Sequence, residues 1–102
     1  FAGILAAKNA ATLVPLSATV LVRATTIDFH LGPDFIGVAA LVEGLDDTGV
    51  EMPAFSAATA AVLTIYDMCK SADRTMAIGP VHLVERSGGA SSTWRRREVD
   101  DE

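Results

Sequence analysis

The residues best suited to chemistry in this sequence are Asp67 and Lys70, which close an Ala-rich apolar run within the segment LTIYDMCK. On a helix these two residues lie three positions apart, so a carboxylate and an ammonium group are neighbours. Such a pair can remove and return protons, and the lysine adds a positive charge for an anionic leaving group. The alternative is a solvated helix end, where Lys70 complements the helix dipole. Both interpretations stay open on these residues alone.

Length and composition limit the possible functions. The chain has 102 residues, a net charge of −5, one cysteine and a sequence that is half hydrophobic. This length corresponds to one domain, and the negative charge argues against general binding to nucleic acid or to an anionic membrane. Charge-free stretches fall short of the ~20 apolar residues of a membrane span. A lone Cys69, interpreted as a small buried hydrophobe, fits a reducing cytoplasm, and no Cys/His pattern indicates a metal site.

The elements that must position the pair follow the order α-β-β-α-β. Residues 2–13 are rich in helix formers and stop at Pro15, and residues 19–31 and 36–44 read as two strands of a hairpin. A second helix is predicted from Pro53 to about Lys70, and Gly79-Pro80 starts a last strand, VHLVER. The pair therefore lies at the end of the second helix.

One added strand before Phe1 would turn this order into βαββαβ, the pattern of an α+β ferredoxin-like sandwich. Because FAGILAAKNAA begins without a helix N-cap signal, the sequence predicts that this first strand is lacking here. The fold would be an antiparallel sheet with helices on one face. We expect a second copy of the chain to cover the other face.

Six short segments, in this order, resemble the MoaC family, the cyclic pyranopterin monophosphate synthases of molybdenum-cofactor (molybdopterin) biosynthesis. They are AGILAAK, LVPL, TGVEM, LTIYDMCK, IGPV and SGGAS, and they span residues 2–91. We therefore divide the chain into a MoaC-like domain over residues 1–92 and a flexible charged tail over residues 93–102. The resemblance implies a ferredoxin-like subunit that assembles as dimers into a homohexamer.

The resemblance also implies an activity. Enzymes of this family are lyases that rearrange a cyclised dihydro-GTP nucleotide into cyclic pyranopterin monophosphate and release pyrophosphate, without a cofactor. Asp67 and Lys70 match the family's acid/base pair, and Lys8, Leu16, Glu51 and Met52 match its substrate-contacting positions. Without the resemblance, Glu51 could be a helix-start acid and Lys8 a solvated lysine.

Four residues, in three segments, depart from the family pattern. Ser17-Ala18 stands where the family has Cys-His, Arg86 replaces the lysine before SGG, and Asp47 replaces the lysine before TGVEM. Neither His30 nor His82 matches the missing histidine. Losing an acid/base group typically costs 10²–10⁴-fold in rate. The alternative function is thus a catalytically impaired homologue that acts as a structural or regulatory subunit.

The predicted second helix also separates the matched residues. Glu51 precedes Asp67 by sixteen positions, or ~24 Å along a helix axis, so one small substrate cannot touch both within one subunit. The sequence therefore predicts a site shared between subunits, with Asp67 and Lys70 of one chain facing Glu51 and Met52 of its neighbour.

Overall fold

The computed structural model describes residues 1–46, 48–88 and 93–97, and Asp47 thus lies outside the described residues. The elements in chain order are α1 (Ala2–Lys8), α2 (Ala10–Leu13), β1 (Val22–Leu31), β2 (Ile36–Gly44), α3 (Glu51–Cys69), β3 (Glu85–Arg86) and β4 (Trp94–Arg95). The α+β class is confirmed, with helices packed on a small antiparallel sheet. Helix α3 begins two residues before the predicted Pro53 and ends one residue before Lys70.

A break at Asn9 divides the predicted first helix into α1 and α2. The Asn9 side-chain amide donates to the Leu5 carbonyl at 2.8 Å, and its backbone N–H donates to the carbonyls of Leu5 and Ala6. An asparagine side chain that bonds to nearby backbone competes with the helical ladder and favours such an end. The break therefore ends α1 at Lys8, and α2 starts at Ala10.

Strands β1 and β2 form the predicted hairpin. They are antiparallel, with Leu31 opposite Ile36 and Ile27 opposite Ala40, and an irregularity between Val22 and Ala24. Alternation along each strand places Ile27, Ala40 and Val42 on one face, where they pack toward the helices. The buried core consists of Ala7 on α1, Ala57 on α3 and Val42 on β2. Because the two helix residues are alanines, both helices can approach that face of the sheet closely.

Helix α1 lies against α3 with almost no space between them. A Cβ atom placed on Gly3 would lie 2.9 Å from the backbone oxygen of Ala57 and 3.0 Å from Cδ1 of Ile27. Later in the chain, Ser17 and Ala18 lie beside Met52 and Pro53. The chain from Gly3 to Ser17 therefore runs back along α3 toward its first turn.

The last predicted strand is much shorter than expected. Of VHLVER only Glu85–Arg86 is a strand, and it pairs antiparallel with Trp94–Arg95 rather than with the β1–β2 sheet. Strand β4 falls within the segment for which the sequence predicts a flexible tail, and residues 98–102 of that segment lie outside the described residues. The described sheets thus hold two strands each, and residues 81–84, which line the same pocket as β2, belong to neither sheet.

Helix α3 is apolar along its length, yet only four of its nineteen residues are buried. By length and composition alone it could cross a membrane, which the count of charge-free stretches did not reveal. In the structure it packs on α1 and β2. Only 22% of its most apolar window is buried, so much of its apolar surface remains uncovered.

Candidate active site

Asp67 and Lys70 form an ion pair at the C-terminal end of α3. The Lys70 ammonium Nζ donates a hydrogen bond to Oδ1 of Asp67 at 2.8 Å. This hydrogen bond, and then the negative charge of Asp67, raise the pKa of Lys70 above its usual value. Lys70 therefore holds its proton at neutral pH and can act as a proton donor or as a counter-charge to an anion. Both side chains are exposed in one copy of the chain.

A second ion pair lies at the opposite end of the same helix. Oε1 of Glu51, the first residue of α3, is 2.9 Å from Nε of Arg86, and both side chains are partly exposed. A carboxylate in the first turn of a helix is favoured by the helix dipole. This contact could not be predicted from the sequence, because the two residues are distant in the chain and opposite charge alone does not select a partner. It joins the TGVEM segment to the residue before SGG.

A small pocket lies beside Glu51. It has a volume of about 200 Å³ and is lined by Ser17, Ala18, Val20, Thr48, Gly49, Glu51, Met52 and Pro53. The structure thus brings the Ser17-Ala18 segment together with Glu51 and Met52, which are more than thirty positions away in the sequence. Typical small-molecule sites enclose ~300–1,000 Å³, so this pocket alone is too small for a nucleotide-sized ligand.

Two of the predicted substrate-contacting residues are not among those that line the pocket. Lys8 is an exposed residue in the last turn of α1, and Leu16, which directly precedes Ser17, is fully exposed. Cys69 is also exposed, contrary to its interpretation as a buried hydrophobe, because α3 has no covering element at its last turn. The described residues contain no group of three or more His, Cys, Asp or Glu side chains that could hold a metal ion.

Apart from Lys8 and Leu16, the predicted site residues therefore form two groups, one at each end of α3. The helix is continuous from Glu51 to Cys69, so sixteen positions, or ~24 Å, separate Glu51 from Asp67 along its axis. A single copy of the chain brings together Glu51, Met52, Ser17 and Ala18, and separately Asp67 and Lys70. It does not bring the two groups into one pocket.

Comparison with known proteins identifies one family and several relatives. The profile of the MoaC family matches residues 1–89. A cyclic pyranopterin monophosphate synthase from Geobacter metallireducens is 46% identical over 99 residues, covering 95% of this chain and 62% of the relative. Cyclic pyranopterin monophosphate synthase 3 from Mycobacterium bovis is 44% identical over 100 residues, covering 97% of this chain and 56% of that relative.

A third relative is named as a bifunctional protein. A molybdenum cofactor biosynthesis bifunctional protein from Chlorobaculum tepidum is 48% identical over 91 residues, which cover 89% of this chain and 29% of that relative. The chain thus spans about three fifths of the length of the Geobacter relative and less of the other two. The match over residues 1–89, together with these identities across most of the chain, shows that the chain belongs to the MoaC family.

Proposed function

We propose that this chain functions as a cyclic pyranopterin monophosphate synthase in the cytoplasm, acting on a nucleotide-derived small molecule and releasing pyrophosphate. The observation that carries the proposal is the Asp67–Lys70 pair, held at 2.8 Å at the position of the family's acid/base pair. Opening and reclosing a purine-derived ring requires protons to be removed and returned. The Asp67 carboxylate accepts a proton, while the Lys70 ammonium donates one or neutralises the departing diphosphate.

We further propose that the site is completed by a second copy of the chain. The 200 Å³ pocket beside Glu51 supplies one wall, and the exposed Asp67–Lys70 pair of a neighbouring copy supplies the other. The exposure of both groups in one copy and the undersized pocket support this arrangement. The proposed assembly is the one that the resemblance to the family implies, a homohexamer built as a trimer of dimers, in which each two-fold interface would present the same two surfaces twice.

Ser17 and Ala18 favour the alternative function, a catalytically impaired homologue that serves as a structural or regulatory subunit. They line the pocket at the positions where the family has Cys-His, and neither side chain titrates near neutral pH. To distinguish the two functions, pyrophosphate release by the unchanged chain is measured beside that by a Ser17→Cys/Ala18→His double variant. If the double variant folds and assembles but releases no pyrophosphate from the cyclised nucleotide, the synthase proposal is contradicted and the alternative is favoured.

Subunit mixing tests the shared site. Asp67→Ala and Glu51→Ala are each introduced into whichever protein is more active, the unchanged chain or the Ser17→Cys/Ala18→His double variant. Each of the two resulting variants is expected to be inactive alone. After exchange of subunits, about a quarter of the sites would combine an intact Asp67 with an intact Glu51 from the neighbouring copy. Pyrophosphate release should recover to about that fraction, whereas mixing Asp67→Ala with the Asp67→Ala/Glu51→Ala protein should give none. Demonstrated exchange without recovery would place the site within one chain.

A further inference from the structure

Half of the basic residues of this acidic chain lie close together near its end. The chain has a net charge of −5 and eight lysine and arginine residues. Four of these eight are Arg86 on β3, Arg95 on β4, and Arg96 and Arg97 directly after β4. Trp94, the single tryptophan of the sequence, lies among them on β4. Arginines beside an aromatic ring suit a ligand that combines a planar base with phosphate, because guanidinium groups pair with phosphate and the ring stacks on the base.

The pairing of β3 with β4 separates these side chains onto two faces. Glu85 lies directly opposite Arg95, and the two form an ion pair with Oε1 and Nε 3.4 Å apart. Arg86 lies directly opposite Trp94. Because directly opposite residues share a face and neighbours along a strand alternate, Arg86 and Trp94 lie together on the other face. We call this the Trp94 face.

Arg96 also lies on the Trp94 face, where it restrains the indole ring. Its guanidinium carbon is 5.8 Å from the centroid of the Trp94 ring, within the range of a cation–π contact. Arg96 is itself fixed, since its backbone N–H donates to the Val84 carbonyl and its side-chain Nε donates to the Leu83 carbonyl, both at 2.7 Å. Trp94 remains 41% exposed. The hairpin therefore presents an oriented aromatic ring with accessible surface.

Arg86 connects the Trp94 face to the pocket beside Glu51. Its Nε is 2.9 Å from Oε1 of Glu51, which lines the pocket of about 200 Å³ together with Met52. A nucleotide-sized ligand must extend beyond a pocket of that volume. Past Glu51 it meets Arg86 and then Trp94, since the Cβ atoms of directly opposite strand residues are only ~4.5–5.5 Å apart. The indole is therefore within reach of a ligand that occupies the pocket.

We propose that Trp94 is a specificity-determining residue of this site, and that its indole stacks on the planar ring system of the nucleotide-derived substrate. The inference rests on the proposed function, for which it names a residue that recognises the ring. Every purine-derived base has a π-face on which an indole can stack, whereas an inorganic phosphate has none. The site would thus distinguish a nucleotide from a simple polyphosphate of similar charge.

Tryptophan fluorescence tests the stacking directly. Because Trp94 is the only tryptophan in the sequence, the emission of the chain reports on this ring alone. Titration of the unchanged chain with GTP should quench the emission along a saturable curve, whereas inorganic triphosphate should leave it unchanged. N-acetyl-tryptophanamide in place of the protein corrects for light absorption and collisional quenching by GTP. Absence of saturable quenching by GTP, or equal quenching by triphosphate, would overturn the proposal.

Calorimetric titration with GTP tests the ring by substitution. Trp94→Leu keeps apolar bulk but removes the π-face, and it should weaken GTP affinity by about 5- to 100-fold, as expected for the loss of stacking on one base. Trp94→Phe keeps a ring and should stay within about 3-fold of the unchanged chain. Phe29→Leu, at an exposed aromatic residue of β1, is the matched control and should leave the affinity unchanged. Slow hydrogen exchange of the Arg96 amide, which donates to Val84, checks that the hairpin is retained. Equal affinities of Trp94→Leu and Phe29→Leu would contradict the proposal.

The result can be separated from that of the synthase proposal, because GTP binding requires no turnover. If GTP affinity depends on Trp94 while neither the unchanged chain nor the Ser17→Cys/Ala18→His double variant releases pyrophosphate, stacking is supported and the synthase proposal is contradicted. If pyrophosphate is released, Trp94→Leu should raise the KM for the cyclised nucleotide. Turnover with kcat and KM both unchanged by Trp94→Leu would uphold the synthase proposal and refute stacking on Trp94.

Discussion

Replacing Gly3 with alanine should destabilise the fold, because α1 and α3 meet there with no room for a methyl group. The added Cβ would lie 2.9 Å from the Ala57 backbone oxygen, and contact without strain begins near 3.4 Å. The Ile27 side chain, at 3.0 Å, can rotate away, but the Ala57 carbonyl belongs to the α3 backbone and cannot. α1 must therefore move outward by a few tenths of an ångström, which loosens its contacts with the Ala7–Ala57–Val42 core.

The expected cost is the difference between two effects. Overpacking a close contact costs ~1–3 kcal/mol, whereas alanine improves on glycine in a helix by up to ~1 kcal/mol. The net loss in the free energy of unfolding should therefore be about 1–2 kcal/mol. For a domain of this size each kcal/mol lowers Tm by roughly 4–8 °C, so Gly3→Ala should lower Tm by about 5–15 °C.

Urea and thermal unfolding at one fixed protein concentration would measure this change. Gly49→Ala is the matched control, because no atom lies within 4 Å of the Cβ position at Gly49 and its φ is not positive. This control should leave stability unchanged or raise it by up to ~1 kcal/mol through the unfolded state. If Gly3→Ala is as stable as Gly49→Ala, the close α1–α3 contact does not constrain the fold and the reasoning is refuted.

Three further predictions concern the charged pair, the core and the assembly. Asp67→Asn should return the pKa of Lys70 toward its usual value of 10.5, as measured by NMR titration of the side chain, and an unchanged pKa would show that Asp67 is not its main partner. Since the raised pKa belongs to the folded state, any stabilisation from this pair is complete below about pH 10.5 and is lost as pH rises through the folded-state value. Val42→Ala should cost about 2 kcal/mol in urea unfolding, because it deletes two buried methyl groups from the core, and a cost near zero would mean that this core does not support the fold. Light scattering after size-exclusion chromatography should show an oligomer at micromolar concentration, and a monomer would contradict the proposed shared site.

Local sequence signals predicted the elements whose ends are fixed by their own residues. The bounds of β2 agree with the prediction at both ends, because Gly32-Pro33-Asp34 starts the hairpin turn and Gly44 leads into a polar loop. α3 was predicted to within two residues at each end. The break at Asn9 was missed, since it depends on a side-chain bond to Leu5 that periodicity does not reveal.

Contacts between distant segments could not be read from the chain in the same way. VHLVER has strand-forming residues, but a strand exists only with a partner, and the only partner in the described structure is Trp94–Arg95. The pairing of Glu51 with Arg86, and the position of Ser17 beside Met52, likewise depend on how the elements pack. The separation of Glu51 from Asp67 was predictable, because it follows from helix rise alone.

The hydropathy of α3 has a consequence for how the chain is made. At ~5–20 residues per second, the nineteen residues of α3 leave the ribosome over about 1–4 seconds as one strongly apolar segment. α1 and the β1–β2 hairpin precede α3 in the chain, so the surface that covers Ala57 and Ala61 is already synthesised when the helix emerges. Residues 77–84 follow within seconds. The order of elements thus shortens the time during which a helix of this hydropathy is exposed to chaperones and membranes.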